Sequence, residues 1–317
     1  MCNNCLLSLS SLIFSRMYES GTRILDKYVL RECIGSGAFG EVWSASASAD
    51  VAVKMERIRG NPVPTLQYES RVLQLLQGVT GIPRLRYFCR KDDMDRIFMV
   101  TDLLGPSLEA VATSERLDLR SHELKHPRAN CNHAEFVSQI GRQMLQRLKS
   151  VHACGMLHRD VKPDNFLFAR TPALDLSRRA SQAQPVPVPI PLLHIIDFGM
   201  AKRIKDPMID DAENRLVPLI GSPRYASVFA HRGEPLGRRD DLISMMYSLI
   251  YVANGGALPW QGYADMEIYY IKENTTPSEI CAGLHERHAT QWATILERLH
   301  AMRVNDAPNY AGIESLL

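Results

Sequence analysis

The chain has 317 residues, of which 45% are hydrophobic and 23% are charged, and its formal net charge is +2. This length suits one two-lobed domain or two small ones, and this composition is ordinary for a globular protein with a sizeable core. The small net charge argues against a polyanion-binding chain and against an acidic tail, so we expect no nucleic-acid partner.

The cysteines lie at positions 2, 5, 33, 89, 131, 154 and 281, an odd number without the spacing of a disulfide framework. We therefore expect a reducing compartment, the cytoplasm and/or the nucleus. No apolar run reaches the ~18 residues that a membrane-spanning helix needs. We expect a protein without a membrane span.

Residues 1–20 are predicted to be a disordered N-terminal extension. Residues 1–16 have the apolar middle of a signal peptide but neither its basic start nor a small-residue cleavage site, and Met17 is an alternative start. Cys2 and Cys5 form a lone CxxC, for which metal binding, acylation and an unstructured end all remain open.

Three strands are predicted at residues 28–34, 41–47 and 50–55, where apolar and polar side chains alternate. Between the first two lies Gly35-Ser36-Gly37-Ala38-Phe39-Gly40, whose glycines let the backbone approach phosphates without side-chain clashes. The same GxGxxG pattern fits a dinucleotide site. That alternative needs a βαβ unit and an acidic residue about twenty positions on, whereas here a strand ending in Lys54 follows.

A helix is predicted at residues 65–77 with Glu69 in its early turns, followed by strands at residues 82–89 and 96–101. Residues 101–106 then change from strand formers to breakers. This change indicates a hinge whose backbone could hydrogen-bond an adenine ring.

A first insertion is predicted at about residues 120–132, which are polar and have no clear period. His122, His126 and His133 raise the possibility of a metal site, but their spacing matches no common one. An amphipathic helix is predicted next, at residues 134–153.

A second, exposed insertion is predicted at about residues 170–191, which are rich in Pro, Ser and Ala. Its end, residues 185–191, favours an extended polyproline geometry. Ser181 follows two arginines as in sites of basophilic kinases, although such short matches are usually accidental.

Residues 240–252 are apolar nearly all round, which predicts a buried central helix. Asp241 at its start is predicted to be a buried carboxylate that caps backbone amides of the loop at residues 158–167. A late amphipathic helix is predicted at residues 291–299, and residues 200–220 would be an activation segment.

Four motifs occur in the order typical of a protein kinase: the glycine-rich run, Val-Ala-Val-Lys at residues 51–54, His-Arg-Asp at residues 158–160 and Asp-Phe-Gly at residues 197–199. An enzyme of this kind mainly positions its reactants and neutralises charge. Oxygen ligands from Asn165 and Asp197 suit Mg²⁺.

The remaining catalytic roles follow from the same chemistry. Asp160 would orient the attacking hydroxyl and accept its proton, and Lys162 would face the transferring phosphate. Lys54 would hold the α and β phosphates of ATP, with Glu69 as the carboxylate that anchors it.

The chain further resembles the casein kinase 1 family over about residues 25–317. The resemblance rests on short motifs that stand in this sequence as QGVTGIP (77–83), LLGPSLE (103–109), KPDNFL (162–167), RYAS (224–227), RRDD (238–241) and LPWQG (258–262).

This resemblance implies a bilobal α+β kinase fold, with a small antiparallel β-sheet lobe carrying one main helix (residues 21–101) and a larger, mostly helical lobe (residues 102–317). It implies a monomeric Ser/Thr protein kinase that uses ATP and Mg²⁺, prefers acidic or pre-phosphorylated protein substrates and is active without phosphorylation of its activation loop. Arg224 would contact the substrate anion, assisted by Arg215. The ATP-binding residues would be Ile34, Gly35, Ser36, Gly37, Gly40, Val42, Ala52, Lys54, Thr101, Asp102, Leu104 and Leu167.

The sequence also departs from the family's pattern. The basic cluster after Leu-Pro-Trp-Gln-Gly is replaced by a shorter stretch with Asp265 and Glu267, and the expected gatekeeper is the small Thr101. The divergence of residues 215–223 and the Pro-rich insertion motivate the alternative hypothesis of a catalytically weak or inactive scaffold that binds partners through its insertions. A kinase for small molecules is less favoured, because the protein-substrate segment at residues 221–227 is retained in outline.

Overall fold

The computed structural model describes residues 18–37, 40–58, 64–89, 96–113, 127–171, 190–204 and 218–317. Its strands are β1 (Arg23–Ile24), β2 (Tyr28–Gly37), β3 (Gly40–Ser46), β4 (Asp50–Arg57), β5 (Leu85–Cys89), β6 (Arg96–Asp102), β7 (Met156–Leu157), β8 (Phe166–Phe168), β9 (Leu193–Ile195) and β10 (Lys202–Arg203). Its helices are α1 (Thr65–Leu75), α2 (Leu108–Thr113), α3 (Pro127–Ala153), α4 (Val228–His231), α5 (Arg238–Ala253), α6 (Asp265–Asn274), α7 (Pro277–Cys281), α8 (Glu286–His300) and α9 (Tyr310–Glu314).

The residues fall into two compact units. The small unit combines Met1–Leu66 with Arg86–Leu103, and the large unit combines Gln67–Leu85 with Leu104–Leu317. Most of helix α1 therefore belongs to the large unit. Within the described ranges, no helix has both the length and the apolar character that crossing a membrane requires.

The small unit is built on an antiparallel sheet with the strand order β1-β2-β3-β4-β6-β5. Burial alternates along β3 and β4, because successive side chains point to opposite faces of a strand. The buried face forms one hydrophobic core, whose members are Ile24, Tyr28, Leu30, Trp43, Ala45, Val51, Val53, Met55, Phe98 and Val100.

Helix α1 begins against a buried carboxylate at the end of β4. Glu56 accepts hydrogen bonds from the backbone N–H groups of Thr65 (3.0 Å) and Leu66 (2.7 Å). These are amide groups that the first turn of a helix leaves without an internal partner. Glu56 thereby fixes the residue at which α1 starts.

The loop after α1 is held within the large unit by helix α3 and strand β9. Arg147 donates from Nη1 to the carbonyl oxygen of Thr80 at 2.7 Å, and Ile195 N donates to the carbonyl of Gly81 at 2.9 Å. A side chain at Gly81 would collide with Arg147, and its φ of 81° lies in the left-handed region that favours glycine.

Helices α3 and α5 pack together at the centre of the large unit, and α8 packs against α5. Residues Arg239 to Val252 of α5 are all buried, which confirms the predicted central helix. The prediction that α3 begins at residue 134 was wrong, because the helix already begins at Pro127, inside the stretch predicted as a loop. Proline at a first helical position has the φ that a helix start needs.

Two short strand pairs flank the loop between β7 and β8. β8 pairs with β9 and β10 pairs with β7, both antiparallel. Ile196 N, just after β9, donates to the carbonyl of Asn165 at 3.0 Å. These pairings bring residues 158–165 and residues 197–199 next to each other within the large unit.

Candidate active site

The loop at residues 158–165 is anchored by Asp241, as the sequence predicted. Asp241 accepts hydrogen bonds from the backbone N–H groups of His158 and Arg159, each at 2.8 Å, and from His152 Nε2 at 2.9 Å. Arg159 has a φ of 67°, an unfavourable conformation for a residue with a side chain. The two bonds from consecutive amides therefore stabilise a strained turn immediately before Asp160.

His152 is itself fixed by a second contact, since its Nδ1 lies 2.7 Å from the hydroxyl of Tyr310. In the neutral ring, Nε2 then donates to Asp241 while Nδ1 accepts from the tyrosine. His152 therefore has a structural role, since it links the Asp241 carboxylate to Tyr310.

Asp160, Lys162 and Asn165 come together around one carboxylate. Lys162 Nζ lies 2.8 Å from Asp160 Oδ2, and Asn165 Nδ2 donates to the carbonyl oxygen of Asp160 at 2.8 Å and to its Oδ2 at 3.3 Å. The other carboxylate oxygen, Oδ1, accepts from both the backbone N–H and the hydroxyl of Ser222, each at 2.9 Å. The predicted base and cation are thus in direct contact.

The hydroxyl of Ser222 lies between the base and the cation. It donates to Asp160 and accepts from Lys162 Nζ at 3.1 Å. The close approach of Ser222 to Asp160 depends on the preceding residue, Gly221. Its φ is 86°, and a Cβ at this position would lie 2.5 Å from the carbonyl oxygen of Arg159. Only glycine fits this position without a shift of the backbone.

Asp197 begins the Asp-Phe-Gly motif in a left-handed conformation, with a φ of 64°. His158 Nε2 lies 2.9 Å from the carbonyl oxygen of Ile196, and the rings of His158 and Phe198 meet edge to face at 5.1 Å. A Cβ built on Gly199 would lie 3.5 Å from Asp197 Oδ1 and 3.9 Å from Glu69 Oε2. The carboxylates of Asp197 and Glu69 therefore converge on one glycine of the large unit.

The donor atoms of the large unit fit a magnesium ion chemically. Asn165 uses its amide nitrogen as the donor to Asp160, so its oxygen is the atom offered to a cation. Together with the carboxylate of Asp197, it supplies the hard oxygen ligands that Mg²⁺ prefers. Asn165 and Asp197 would hold the metal.

In the small unit, the predicted ATP-binding residues lie across neighbouring strands. The register places Gly35 opposite Val42, Val42 opposite Lys54, and Ala52 opposite Thr101. Directly opposed residues share a face of the sheet, and these side chains lie on the half-exposed face, away from the hydrophobic core.

Glycine is present at the two ends of the glycine-rich run, Gly35 and Gly40, for different physical reasons. A Cβ at Gly40 would lie 1.8 Å from the carbonyl oxygen of Met55, so strand pairing alone requires glycine there. A Cβ at Gly35 would only make ordinary contact with Val42, at 3.6 Å. Packing within the protein therefore does not require glycine at position 35. A glycine there is consistent with a backbone that a ligand approaches closely.

The other predicted ATP-binding residues are placed as follows. Ile34 is 50% exposed, and Asp102 pairs with Arg86 across 2.6 Å. In the large unit, Leu104 is half-buried, and Leu167 on β8 forms an isolated bridge with Ser107. Ser36 and Gly37 end strand β2, opposite Glu41 and Gly40.

Arg224, predicted to bind a substrate anion, lies among aromatic rings and a carboxylate. Its guanidinium carbon is 5.9 Å from the ring centroids of both Tyr225 and Tyr251. Tyr251 donates its hydroxyl hydrogen to Glu109 Oε1 at 2.7 Å. Burial raises the pKa of Glu109, while the Tyr251 hydrogen bond and the charge of Arg224 oppose the rise. Arg215 lies outside the described residues.

Three residues of this site were missed from the sequence. They are Ser222, Glu109 in its pairing with Tyr251, and Lys272, whose Nζ donates to the carbonyl oxygens of Pro223 and Ala226 at 2.7 Å. Ser222 lies in the protein-substrate segment at residues 221–227 named above, so a hydroxyl in that segment was the available signal. Lys272 and Tyr251 offered none, because a lysine or tyrosine in a helix is usually read as solvated or as core.

The histidine-based metal hypothesis gains no support from the described residues. His133 Nε2 lies 3.3 Å from the carbonyl oxygen of Ala253, and no group of three or more His, Cys, Asp or Glu in the described ranges is placed to hold a metal ion. His122, His126, Ser181 and the CxxC lie outside those ranges.

The chain was compared with models of known protein families. Residues 28–302 match the family model described as protein kinase domain, which covers most of the chain. The match includes strands β2 to β6 of the antiparallel sheet, the anchored loop and the helices up to α8. The α+β kinase fold predicted from the sequence is therefore confirmed.

Proposed function

Because the chain belongs to the protein kinase family, we propose that it is a Ser/Thr protein kinase that transfers the γ-phosphoryl group of ATP to protein hydroxyls. The observation that supports this most directly is the Ser222 hydroxyl, held 2.9 Å from Asp160 Oδ1 and 3.1 Å from Lys162 Nζ. A carboxylate and an ammonium that already bond one aliphatic hydroxyl together can orient another for attack on a phosphoryl group.

Asp160 orients the substrate hydroxyl and takes up its proton. An ionised carboxylate can accept about four hydrogen bonds, and Asp160 already accepts two on each oxygen. The weakest is the 3.3 Å contact from Asn165 Nδ2, so the substrate hydroxyl replaces that contact at the least cost. Asn165 remains held by its 2.8 Å bond to the Asp160 carbonyl.

The other charged residues bind and orient the nucleotide. When bound, Mg²⁺ and ATP supply the phosphoryl group and offset the charge that develops during its transfer. Asn165 and Asp197 would hold the metal, and Lys54 would hold the α and β phosphates. Lys162 keeps a positive charge beside the attacking hydroxyl.

We propose a casein kinase 1-like substrate class, namely acidic or pre-phosphorylated proteins. The Arg-Tyr-Ala-Ser motif supports this class, because Arg224 carries a permanent positive charge two positions after Ser222. The carboxylate of Glu109 near Arg224 weakens its field. We therefore expect a preference for anionic substrates, assisted by Arg215, that is weaker than an isolated arginine would give.

A non-catalytic scaffold is the second candidate function. It is favoured by the complete engagement of the Asp160 carboxylate in contacts within the protein. Such a chain would bind ATP or partners without transferring phosphate.

The test is phosphorylation of dephosphorylated casein by the full chain with labelled ATP and Mg²⁺, followed by phosphoamino-acid analysis. We expect label on serine and threonine, and its loss in Asp160→Asn and Asp197→Ala. Asp306→Asn, which changes an exposed carboxylate outside the loop at residues 158–165, is the matched control. Label on tyrosine alone would refute the Ser/Thr assignment, and ATP binding without any transfer would support the scaffold.

A further inference from the structure

Helix α6 contributes a lysine that is almost completely buried. Lys272 is only 4% exposed, and its Nζ donates to the carbonyl oxygens of Pro223 and Ala226, each at 2.7 Å. The same nitrogen lies over the rings of Trp260 and Tyr247, at 4.8 Å and 5.1 Å from their centroids. Burial lowers the pKa of Lys272 well below its ordinary value. A lysine is rarely placed in such surroundings unless its hydrogen-bond donors are used.

Both carbonyls belong to the segment that follows Ser222, and other side chains of the large unit bond the same segment. Trp260 donates from Nε1 to the carbonyl oxygen of Arg224 at 2.7 Å, and His231 Nε2 lies 3.1 Å from the carbonyl of Pro223. The carbonyls of three residues in a run of four thus point into the protein and accept from buried side chains. A backbone with this pattern is set by its tertiary contacts, because it belongs to neither a helix nor a strand.

The segment 222–226 carries two groups on which the argument for the proposed function depends. At one end the Ser222 hydroxyl contacts Asp160, and two residues on is Arg224, the proposed anion contact. The bonds from Tyr225 N and Ala226 N to the Ser222 carbonyl, at 2.9 Å and 3.0 Å, link the two ends of this turn. Any change in the carbonyls held by Lys272 therefore moves Arg224 relative to the base.

We propose that Lys272 is a positioning residue for substrate recognition: its buried amino group holds the Pro223–Ala226 backbone in the form that receives a protein substrate. This inference rests on the proposed kinase function. It assigns Lys272 an effect on the binding of the protein substrate and none on the handling of ATP. Both backbone bonds of Lys272 go to the substrate segment. Its amino group also lies 3.4 Å from His231 Nε2, and that imidazole itself contacts the carbonyl oxygen of Pro223.

The experiment compares the full-length wild type with Lys272→Met, which keeps the length of the side chain and removes the donors. Hydrogen–deuterium exchange at the amides of Tyr225 and Ala226 should rise about tenfold or more. The KM for dephosphorylated casein should also rise about tenfold, while ATP hydrolysis without casein changes less than about twofold. A purely structural role would lower both activities in the same ratio.

Two further variants keep the test decisive. Trp260→Phe removes the bond to the Arg224 carbonyl but keeps an aromatic ring, and should shift the casein KM in the same direction. It replaces Lys272→Met if that protein does not fold. Lys149→Met, at an exposed position of α3, is the matched control and should behave as the wild type.

The proposal is overturned if folded Lys272→Met shows wild-type exchange at both amides, or if its casein and ATP activities fall together. If the wild type phosphorylates no protein, the proposed function fails, and the exchange comparison still decides whether Lys272 holds the segment.

Discussion

Replacing Asp241 by asparagine should destabilise the large unit strongly while leaving the shape of the side chain unchanged. The carboxylate is 2% exposed and accepts two backbone N–H groups and one imidazole N–H. An asparagine offers one oxygen and one NH₂ group, so at least one buried N–H must face another donor. An unsatisfied buried donor costs about 1–3 kcal/mol, and the loss of charge weakens the remaining bonds by about 1 kcal/mol each. We expect a fall of about 3–5 kcal/mol in the free energy of unfolding.

Urea unfolding at neutral pH, followed by tryptophan fluorescence, would measure this loss. Asp306→Asn is the control, because Asp306 also accepts one backbone N–H, from Arg303 at 2.8 Å, but at an exposed position. We expect the control to change by less than about 1 kcal/mol. If Asp241→Asn also loses less than about 1 kcal/mol, the carboxylate does not anchor the loop, and the reasoning is refuted.

The same substitution should lower phosphoryl transfer in the fraction that remains folded. The two amides that Asp241 holds directly precede Asp160, and the strained φ of Arg159 persists only while they are held. A misplacement of the base by about 1 Å can cost roughly a hundredfold in rate. An Asp241→Asn protein that is folded under the assay conditions and turns over casein at the wild-type rate would contradict this step.

Three other substitutions test single contacts. Ser222→Ala should lower kcat on casein about tenfold, because one hydrogen bond to the charged Asp160 is lost; an unchanged kcat would mean that this hydroxyl has no role. Glu109→Gln removes the negative charge near Arg224 and should raise the ratio of kcat/KM for pre-phosphorylated over neutral peptides about threefold, measured on matched peptide pairs. Burial, followed by nearby positive charges, lowers the pKa of His288 to about 4, so the unfolded chain binds a proton below about pH 6.5 that the folded protein does not. Stability is therefore lost as the pH falls, by about 2 kcal/mol at this residue between pH 7 and pH 5, and His288→Phe should show a correspondingly smaller loss in urea unfolding at the two pH values.

Local patterns in the sequence were sufficient for much of the fold. The strand at residues 50–55 was predicted from alternation, and the structure extends it to Arg57 because pairing with β6 continues to Arg96. Asp241 could be assigned because it opens a helix that is apolar on all sides, so its carboxylate had to be buried and had to find donors.

Contacts that depend on tertiary structure were not accessible in the same way. Lys272 lies in the polar stretch Ile-Lys-Glu-Asn, where a lysine normally points to solvent. Its burial follows from the packing of α6 against Trp260 and the segment that ends at Ala226, which no local pattern encodes. The start of α3 at Pro127 was missed for a related reason, because the residues there have no apolar period of their own.

The first turn of α5 connects the two segments on which catalysis would depend. Asp240 accepts from the Ser227 hydroxyl at 2.6 Å and from Gly237 N at 2.7 Å, while its neighbour Asp241 accepts from the loop that leads to Asp160. Burial by itself acts to raise the pKa of both carboxyl groups, but the net shifts differ. At Asp241 the bonds and charges of the histidines and the loop amides outweigh that effect and lower its pKa, whereas at Asp240 burial prevails and the pKa is raised.

Two adjacent carboxylates at one helix end thus fix the base on one side and the end of the substrate segment on the other. Because α5 is buried along its length, neither segment can shift along the helix without breaking bonds to a buried group. Lys272 also holds the substrate segment, but as a donor. Its amino group donates to backbone carbonyls, whereas the two aspartates accept from N–H and O–H groups. The distance between Asp160 and Arg224 is therefore set by buried hydrogen bonds to side chains, which explains how irregular backbone can hold a defined geometry.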